Sequence, residues 1–480
     1  MYPIVKLQSQ IEWSLSIFNY HNNNLSLCLQ SGVNKWYGGC IYNGECFNGM
    51  RHGKGLFVNE NGSYYNGDWS NDQMEGIGEF HYANGSTYTG WWKNNTMSGQ
   101  GRLDYFDGSV YKGNFENGWM QGKGEYTNST GGEKYTGSFK QDLFHDQGIH
   151  LSNGSIYFGF FRDGQRHGFG RMESSNGDIF TGSWENGLYH GKGELQWSNG
   201  DAYSGEWRYG MRDGNGTQTF SSGDMYVGEW KGGTVSGEGS YAWADGSSYC
   251  GSWSEGKFHG FGWFQWVGGT AYKGQWLDDR RHGHGLQVEG DGSTYEGSWM
   301  NDTKHGNGTF ISADGSTFIG EWVAGQRAGW GVFNWAAGGE YSGRWMENRP
   351  HGEGVFRWAD GSSYRGLWEG GQRSGEGVFT EADGLRVYKG EWSADHRHGK
   401  GEEKMIDGGT YSGRSPRCCN NHFYYFISAL ILGGRTVCEM ARENTSFLSQ
   451  SWAHAAATEV GGSQVRLSER GSSGSKMGIR

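Results

Sequence analysis

Proline is nearly missing from this chain, 3 of 480 residues, where an average protein carries roughly 5%. Collagen, which needs strict Gly-X-Y with abundant proline, is excluded. Apolar residues are scarce too, at 34%, too few for the aliphatic interior of a large mixed α/β enzyme. Long hydrophobic runs are absent. The longest, Phe423–Leu432, falls short of the ~20 residues that cross a bilayer. Near Met1, Glu12 interrupts the apolar stretch and no basic segment precedes it, so no secretory signal is expected. The 7 cysteines share no repeated spacing, which argues against a zinc ribbon or a disulfide framework and for a reducing, intracellular setting. Net charge is −11, a balance that does not favour nucleic acid. A soluble, cytoplasmic protein is expected.

What the chain has instead is 90 Gly with 24 Trp, 27 Tyr and 25 Phe. That aromatic content excludes general disorder. Glycine with rings points to β-hairpins packed through aromatics. Self-similarity decides the architecture. Tyr-x-Gly recurs at Tyr42, Tyr65, Tyr88, Tyr111, Tyr135, Tyr157, Tyr203, Tyr226, Tyr249, Tyr272, Tyr295, Tyr341, Tyr364, Tyr388 and Tyr411, with Phe180 and Phe318 filling the two gaps. The step is 23 residues nearly throughout, giving sixteen full units over 42–410 and the opening of a seventeenth.

One unit reads Tyr272-Lys-Gly274-Gln-Trp276, a variable stretch, His282-Gly283-His-Gly285, then Asp291-Gly292. Tyr, Gly and Trp at i, i+2 and i+4 share one face of a strand. In the second half, Gly260, Gly262, Phe264 and Trp266 alternate in the same way. Twelve of the sixteen units close with Asn-Gly or Asp-Gly, dipeptides that favour hairpin turns. Each unit is therefore strand, turn, strand, turn. A glycine without Cβ leaves a slot over which a neighbouring ring lies. The fold class is all-β: an elongated, single-layer twisted meander of about sixteen 23-residue β-hairpin repeats, a rod of roughly 150 Å at ~4.8 Å per strand. Tyr272, Gly274, Trp276, Gly283 and Gly285 stand for the structural positions.

Tyr-x-Gly-x-Trp followed by His-Gly-x-Gly and Asp-Gly resembles the MORN repeat (membrane occupation and recognition nexus), over residues 42–413. Cys46 replaces the Trp of the first unit, and Phe115, Phe139 and Phe161 replace it in the fourth to sixth. The fifth unit lacks the second Gly-x-Gly, reading Gln147-Gly148-Ile149-His150, and a kink or weak point is expected there. The resemblance implies a non-enzymatic scaffold, since MORN-like arrays recur in proteins linking membranes to cytoskeleton, among them junction, axonemal and parasite cortical proteins. It leaves two alternatives open: a ciliary, radial-spoke-like component, or a regulatory protein of the phosphatidylinositol phosphate kinase type lacking its catalytic domain.

The array is flanked by residues 1–41, an irregular N-terminal segment that is either disordered or a cap on the first strand, and by 414–480, a largely disordered tail. The flanks carry +1 and +4, leaving −16 on the array. Its charge is nevertheless patterned. Basic residues recur beside His-Gly at Arg51, Arg166, Arg212, Arg281, Lys304, Arg327, Arg349, Arg373 and Arg397. The row from Arg281 through Lys304, Arg327, Arg349 and Arg373 to Arg397 is the candidate edge for anionic phospholipid or a protein partner, against the alternative of a solvated turn. Eight histidines fill the His-Gly slot: His52, His167, His190, His259, His282, His305, His351 and His398. Successive ones lie ~9.5 Å apart, too far to share one metal ion, so a turn role is expected and no metal or other cofactor. Trp91, Trp119, Trp263 and Trp330 stand off the repeat pattern and are candidate partner contacts. No nucleotide loop, nucleophile elbow, kinase signature or metal cluster emerges, so no catalytic residue is expected. Other proteins are the expected partners, anionic phospholipid and a homo-oligomer are further candidates, and nucleic acid is not. The expected location is cytoplasmic, peripheral at a membrane or the cytoskeleton.

Overall fold

The computed structural model describes residues 32–35 and 39–415. Among them are 34 β-strands, from β1 (Gly32–Lys35) to β34 (Thr410–Ser415), and no helix. The sixteen repeats are sixteen hairpins. In the repeat that opens at Tyr272 these are β22 (Ala271–Leu277) and β23 (Arg280–Val288). Gly274 pairs with Gly285, and Tyr272 with Gln287.

The two glycines leave the space the sequence pattern called for. A Cβ on Gly274 would lie 2.6 Å from Tyr272 Oη, and one on Gly285 would lie 2.5 Å from Tyr272 Cζ. Tyr272 is wholly buried over this pair, and its hydroxyl donates to the Gln275 carbonyl at 3.0 Å. Trp276 meets the ring edge-on at 5.1 Å, and Trp299 of the next repeat does the same at 5.4 Å from the other side. Quadrupoles favour such T-shaped contacts. The indole also donates back across repeats, Trp299 Nε1 to the Gly285 carbonyl at 3.2 Å, as most of the repeat indoles do, Trp230 excepted. A repeat therefore completes its core only with its successor.

Turn chemistry differs at the two ends of the strands. Between β22 and β23, Asp278 and Asp279 both take positive φ, 48° and 66°, the conformation a two-residue hairpin turn requires and Asp tolerates. The sequence marks this stretch only as variable. At the other end Asp-Gly sits in a wider turn. Gly246 (φ 95°) donates to the Trp243 carbonyl at 3.0 Å, and Trp243 N to the Ser247 carbonyl at 2.9 Å. Between these ends the register shifts from Gly274↔Gly285 to Trp276↔Arg281. The extra residues form a bulge around His282 and Gly283 (φ 61°). Gln275 Oε1 accepts the bulge amide of His284 at 2.8 Å.

Two compact bodies divide the chain. The first comprises residues up to Asp291 together with Trp299–Asp302, and in it β1 to β23 pair antiparallel, each with its successor. The second comprises Gly292–Ser298 and the chain from Thr303. There β25 (Thr303–Ile311) to β34 do the same.

Several expectations are corrected. Residues 32–35 are strand, not irregular, and β1 pairs with β2 (Ile41–Phe47). The remainder of the expected irregular N-terminal segment before residue 39, and the expected tail beyond residue 415, lie outside the described residues. Cys46 is disulfide-bonded, so the irregular cysteine spacing did not exclude a disulfide. The fifth repeat shows no break in its ladder. Asp146 adopts φ 49° where its neighbours use glycine, and Gly148 still pairs with both Gly137 and Gly159. Asp is one of the few residues that takes that conformation with little strain.

Candidate functional site

The basic row is the natural place to look first, and its side chains do not stand on a free edge. The slot nine residues after each Tyr faces the same side as the rings. Arg281 lays its guanidinium over Trp299 of the next repeat, 4.4 Å from the ring centroid. Its Nη2 donates to the Asp302 carbonyl at 3.0 Å, its Nε meets Asp302 Oδ1 at 3.1 Å, and its Nη1 donates to Gln287 at 2.6 Å. Arg373 repeats the arrangement with Trp392 at 4.3 Å and Asp395. Arg327 stacks on Trp345 at 4.8 Å and donates to the Asn348 carbonyl. Lys304 lies among Tyr295, Phe310 and Trp322. Arg397 covers Tyr388 at 4.5 Å and pairs with Glu403 at 3.2 Å.

Arg349 breaks the row. Pro350 occupies the slot opposite Trp345, and Arg349 sits one residue earlier, exposed at the start of β29 (Arg349–Arg357) where it pairs with Met346. The row is thus an inter-repeat clasp built from cation–π stacking and charge-assisted hydrogen bonds, neither the open edge nor the solvated turn of the two sequence readings. The signal that could have shown this was in the sequence. The same slot holds Met74, Met97, Met120 and Phe144, all buried, and a position that alternates between Arg and Met is a packing position.

Burial costs these cations. Arg51, Arg166 and Arg373 lose part of their proton affinity to desolvation, which Asp72 and Asp395 offset for Arg51 and Arg373. Arg212, stacked on Trp230 at 4.0 Å, falls to about 10 for the same reason.

The histidines sit in the bulges. Nδ1 of His52, His167, His190, His259, His282, His305, His351 and His398 is buried without a hydrogen-bond partner. Among the described residues no three His, Cys, Asp or Glu side chains converge as metal ligands.

The opposite face of the sheet carries the aromatics that the repeat does not use. Trp91, Trp263 and Trp330 are 50, 51 and 51% exposed, while Trp119 is half-buried at the start of β9 (Trp119–Thr127). Trp91 pairs across the sheet with exposed Ile77, and Trp263 follows exposed Phe261 two residues on. Phe158, Phe160 and Phe169, which the sequence reading passed over, are exposed on that face as well.

A family model described as the MORN repeat matches the chain fifteen times: residues 42–133 in four consecutive copies, 157–386 in ten, and 388–410. The chain belongs to the MORN-repeat family. The one hairpin between these matches is the fifth repeat, where Asp146 replaces glycine. No curated protein matches the chain. Among solved structures, the TCP domain of SAS-4 from Drosophila melanogaster is similar at 10% identity, with 42% of this chain and 85% of that one covered and a TM-score of 0.12. The G-box domain of the microcephaly protein CPAP is similar at 10% identity, 51% and 98% coverage and a TM-score of 0.14. A virginiamycin B lyase from Staphylococcus aureus gives 11% identity, 80% and 96% coverage and a TM-score of 0.11. Such scores transfer no function to this MORN array.

Proposed function

We propose that this MORN array is a non-catalytic scaffold that holds protein partners on the face opposite its ring stack. One observation carries the reading. The rings of the repeat pattern are consumed by the core, whereas Trp91, Trp263 and Trp330 are half exposed on the other face, outside the ring stack. Large aromatics are unfavourable in water and are enriched at the centres of protein interfaces. Direct capture of anionic phospholipid by the basic row is the weaker reading, because those cations already have rings, carbonyls and carboxylates as partners. Placement at a membrane or the cytoskeleton would then come through the bound proteins. The same reading assigns no lipid-kinase activity to the chain.

The test replaces Trp91, Trp263 or Trp330, one at a time, with a photoreactive phenylalanine in cells, with Tyr209 in a hairpin turn as control. Discrete protein adducts from the first three and none from Tyr209 support the scaffold. Identical adducts from all four positions, or none from any, overturn it. Sedimentation with anionic against neutral vesicles at two salt concentrations checks the lipid reading. Charge reversal within the clasp is not a clean probe there, since it would disrupt packing; exposed Lys273 and Lys389 are the positions to reverse.

A further inference from the structure

Strand β12 (Ser155–Arg162) is apolar on both faces and carries three exposed apolar side chains in a row on the face opposite the rings. Tyr157 and Phe161 join the ring stack, while Ile156, Phe158 and Phe160 point the other way, 45, 49 and 48% exposed. The patch extends to its neighbours. In β11 (Leu143–Ser152), Ile149 stands directly across from Phe158 and is 45% exposed. In β13 (Gln165–Glu173), Phe169 is 62% exposed. Five exposed apolar side chains on three adjacent strands form a contiguous patch of the kind that marks an interaction site.

A shallow depression adjoins it. Its floor is the backbone of Gly124, Gly137 and Gly148, and its walls include Lys123, Ile149 and Phe158. These glycines face each other across β9, β10 (Glu133–Lys140) and β11. A Cβ at each of these glycines would point at the Tyr111 or Tyr135 ring on the far side; on the near side the depression is bounded by the longer side chains of Lys123, Gln147, Ile149 and Phe158.

Charge says what fits the furrow. On this face of β9 to β13 the cations are Lys123, Lys134, Lys140, Arg162 and Arg171, and the acids are Glu125, Glu173 and the bulge residue Asp146. Glu125 is engaged with Lys134 at 2.5 Å and Glu173 with Arg171 at 3.6 Å, while Asp146 is exposed and 3.9 Å from His145. Lys123, Lys140 and Arg162 are exposed and make no ion pair among the described residues. An apolar patch with three unengaged cations, inside an array of charge −16, is a local reversal of the molecule's own field.

We propose that β9 to β13 form a docking site for an acidic peptide segment of a partner protein, anchored by apolar side chains against Phe158 and Phe160, with its carboxylates on Lys123, Lys140 and Arg162. The proposal rests on the scaffold reading above and names one partner class for it. A concave furrow receives side chains, whereas a bilayer surface would meet a protruding one, so a peptide is favoured over a membrane. The inner strands have used their backbone hydrogen bonds on each other, so recognition runs through side chains rather than strand addition.

The experiment measures binding of a labelled peptide alternating Asp with Leu or Phe to the full chain, beside a peptide in which Lys replaces Asp. The acidic peptide is expected to bind and the basic one not. Phe158→Ser with Phe160→Ser should weaken binding at least about tenfold, as loss of an interface anchor does, and Lys123→Glu severalfold. Both variants should keep the parent's melting temperature, because the side chains are exposed. No binding of the acidic peptide, equal binding of both peptides, or indifference to both variants overturns the site. Sedimentation with anionic vesicles that is lost in the double Phe variant would mean a membrane surface instead and also overturn it. Adducts persisting at Trp91, Trp263 and Trp330 while the peptide fails would sink this inference alone. Loss of both would take the scaffold reading with it.

Discussion

Repeats 2 to 4 put Met74, Met97 and Met120 where repeats 8 and 11 put Arg212 and Arg281. Both sets sit directly opposite the Trp or Phe of their own hairpin, as in Trp69↔Met74, Phe115↔Met120 and Trp276↔Arg281. The slot asks for a long unbranched side chain that can lie along a ring. Charge is optional, provided its donors are satisfied. Where Arg212 enters, Gln218 and the Gly233 carbonyl accept from it. Where Met74 enters, the position six residues on is Phe80, and no acceptor is needed there. A repeated cation in a solenoid is therefore not evidence of a ligand surface until its acceptors have been counted.

The comparison assumes that the ring-on-glycine core is the same in both regions, and this predicts the largest effect. A Cβ at Gly78 would lie 2.5 Å from Tyr65 Cε2, and one at Gly285 2.5 Å from Tyr272 Cζ. Gly78→Ala and Gly285→Ala should each destabilise their surroundings by about 3 kcal/mol, the upper range for overpacking. The effect should be local, because stability in a repeat array is a sum over neighbours. Amide exchange would read it repeat by repeat. A large loss at one glycine and none at the other would break the comparison at its base.

Alkaline pH probes what the regions share. Burial raises the phenols of the stack in both. Tyr42 and Tyr203, beside Arg51 and Arg212, reach about 12, while Tyr157 and Tyr272, also beside arginines, and Tyr65, Tyr88 and Tyr111, which have Met in the slot, are pushed further. In the window from about 10 upward the unfolded chain releases these protons and the folded chain keeps them, so stability falls as pH rises. A phenol raised to about 12 from its ordinary 10 withdraws roughly 2.7 kcal/mol of stability once the pH has passed through that window. Unfolding followed by circular dichroism should thus coincide with the rise of tyrosinate absorbance. Tyrosinate appearing well before unfolding would show that the rings are not sealed.

Exchanging the slots is the direct test. Arg212→Met alone strands the Gln218 side chain, 2% exposed, at a cost of about 1–3 kcal/mol. Adding Gln218→Phe copies the Met74 and Phe80 pair and should return stability to within about 1 kcal/mol of the parent, since replacing a buried charge and its acceptor by apolar groups is often neutral or better. Chemical denaturation of the two variants decides it. If the double variant stays as unstable as the single one, the guanidinium does more than fill space.

The hairpins, their number and the ring–glycine face were legible because they repeat, and repetition multiplies a weak alternation signal. What repetition hid was what the basic slot touches. Arg281 lies four residues before Gly285, and the two extra residues of the bulge between Gly274↔Gly285 and Trp276↔Arg281 keep parity, so alternation itself puts Arg281 on the ring face. Its reach to Trp299 and Asp302 of the next repeat, which turns an apparent basic edge into a clasp, is a contact that periodicity does not show. The tight turns were hidden for a different reason. Asp278–Asp279, Asn71–Asp72 and Ala394–Asp395 all take positive φ with no common dipeptide, whereas Asp-Gly announces itself. The β12 patch was missed because Phe158 and Phe160 fall on non-motif positions of one repeat, where a periodic search looks past them.

The smallest effect expected concerns the face that neither region uses for folding. Trp91 lies in a Met repeat and Trp330 in an Arg repeat, and each is half exposed on the side of its own strand away from the rings. Trp91→Ser and Trp330→Ser should each change stability by no more than about 0.5 kcal/mol, as surface substitutions do. A drop of several kcal/mol, which a buried indole such as Trp345 should give, would mean that the opposite face is a second core. Indifference in both regions would leave these rings with no part in the fold, and a large ring held in water without a structural role is best explained by what it touches outside the molecule.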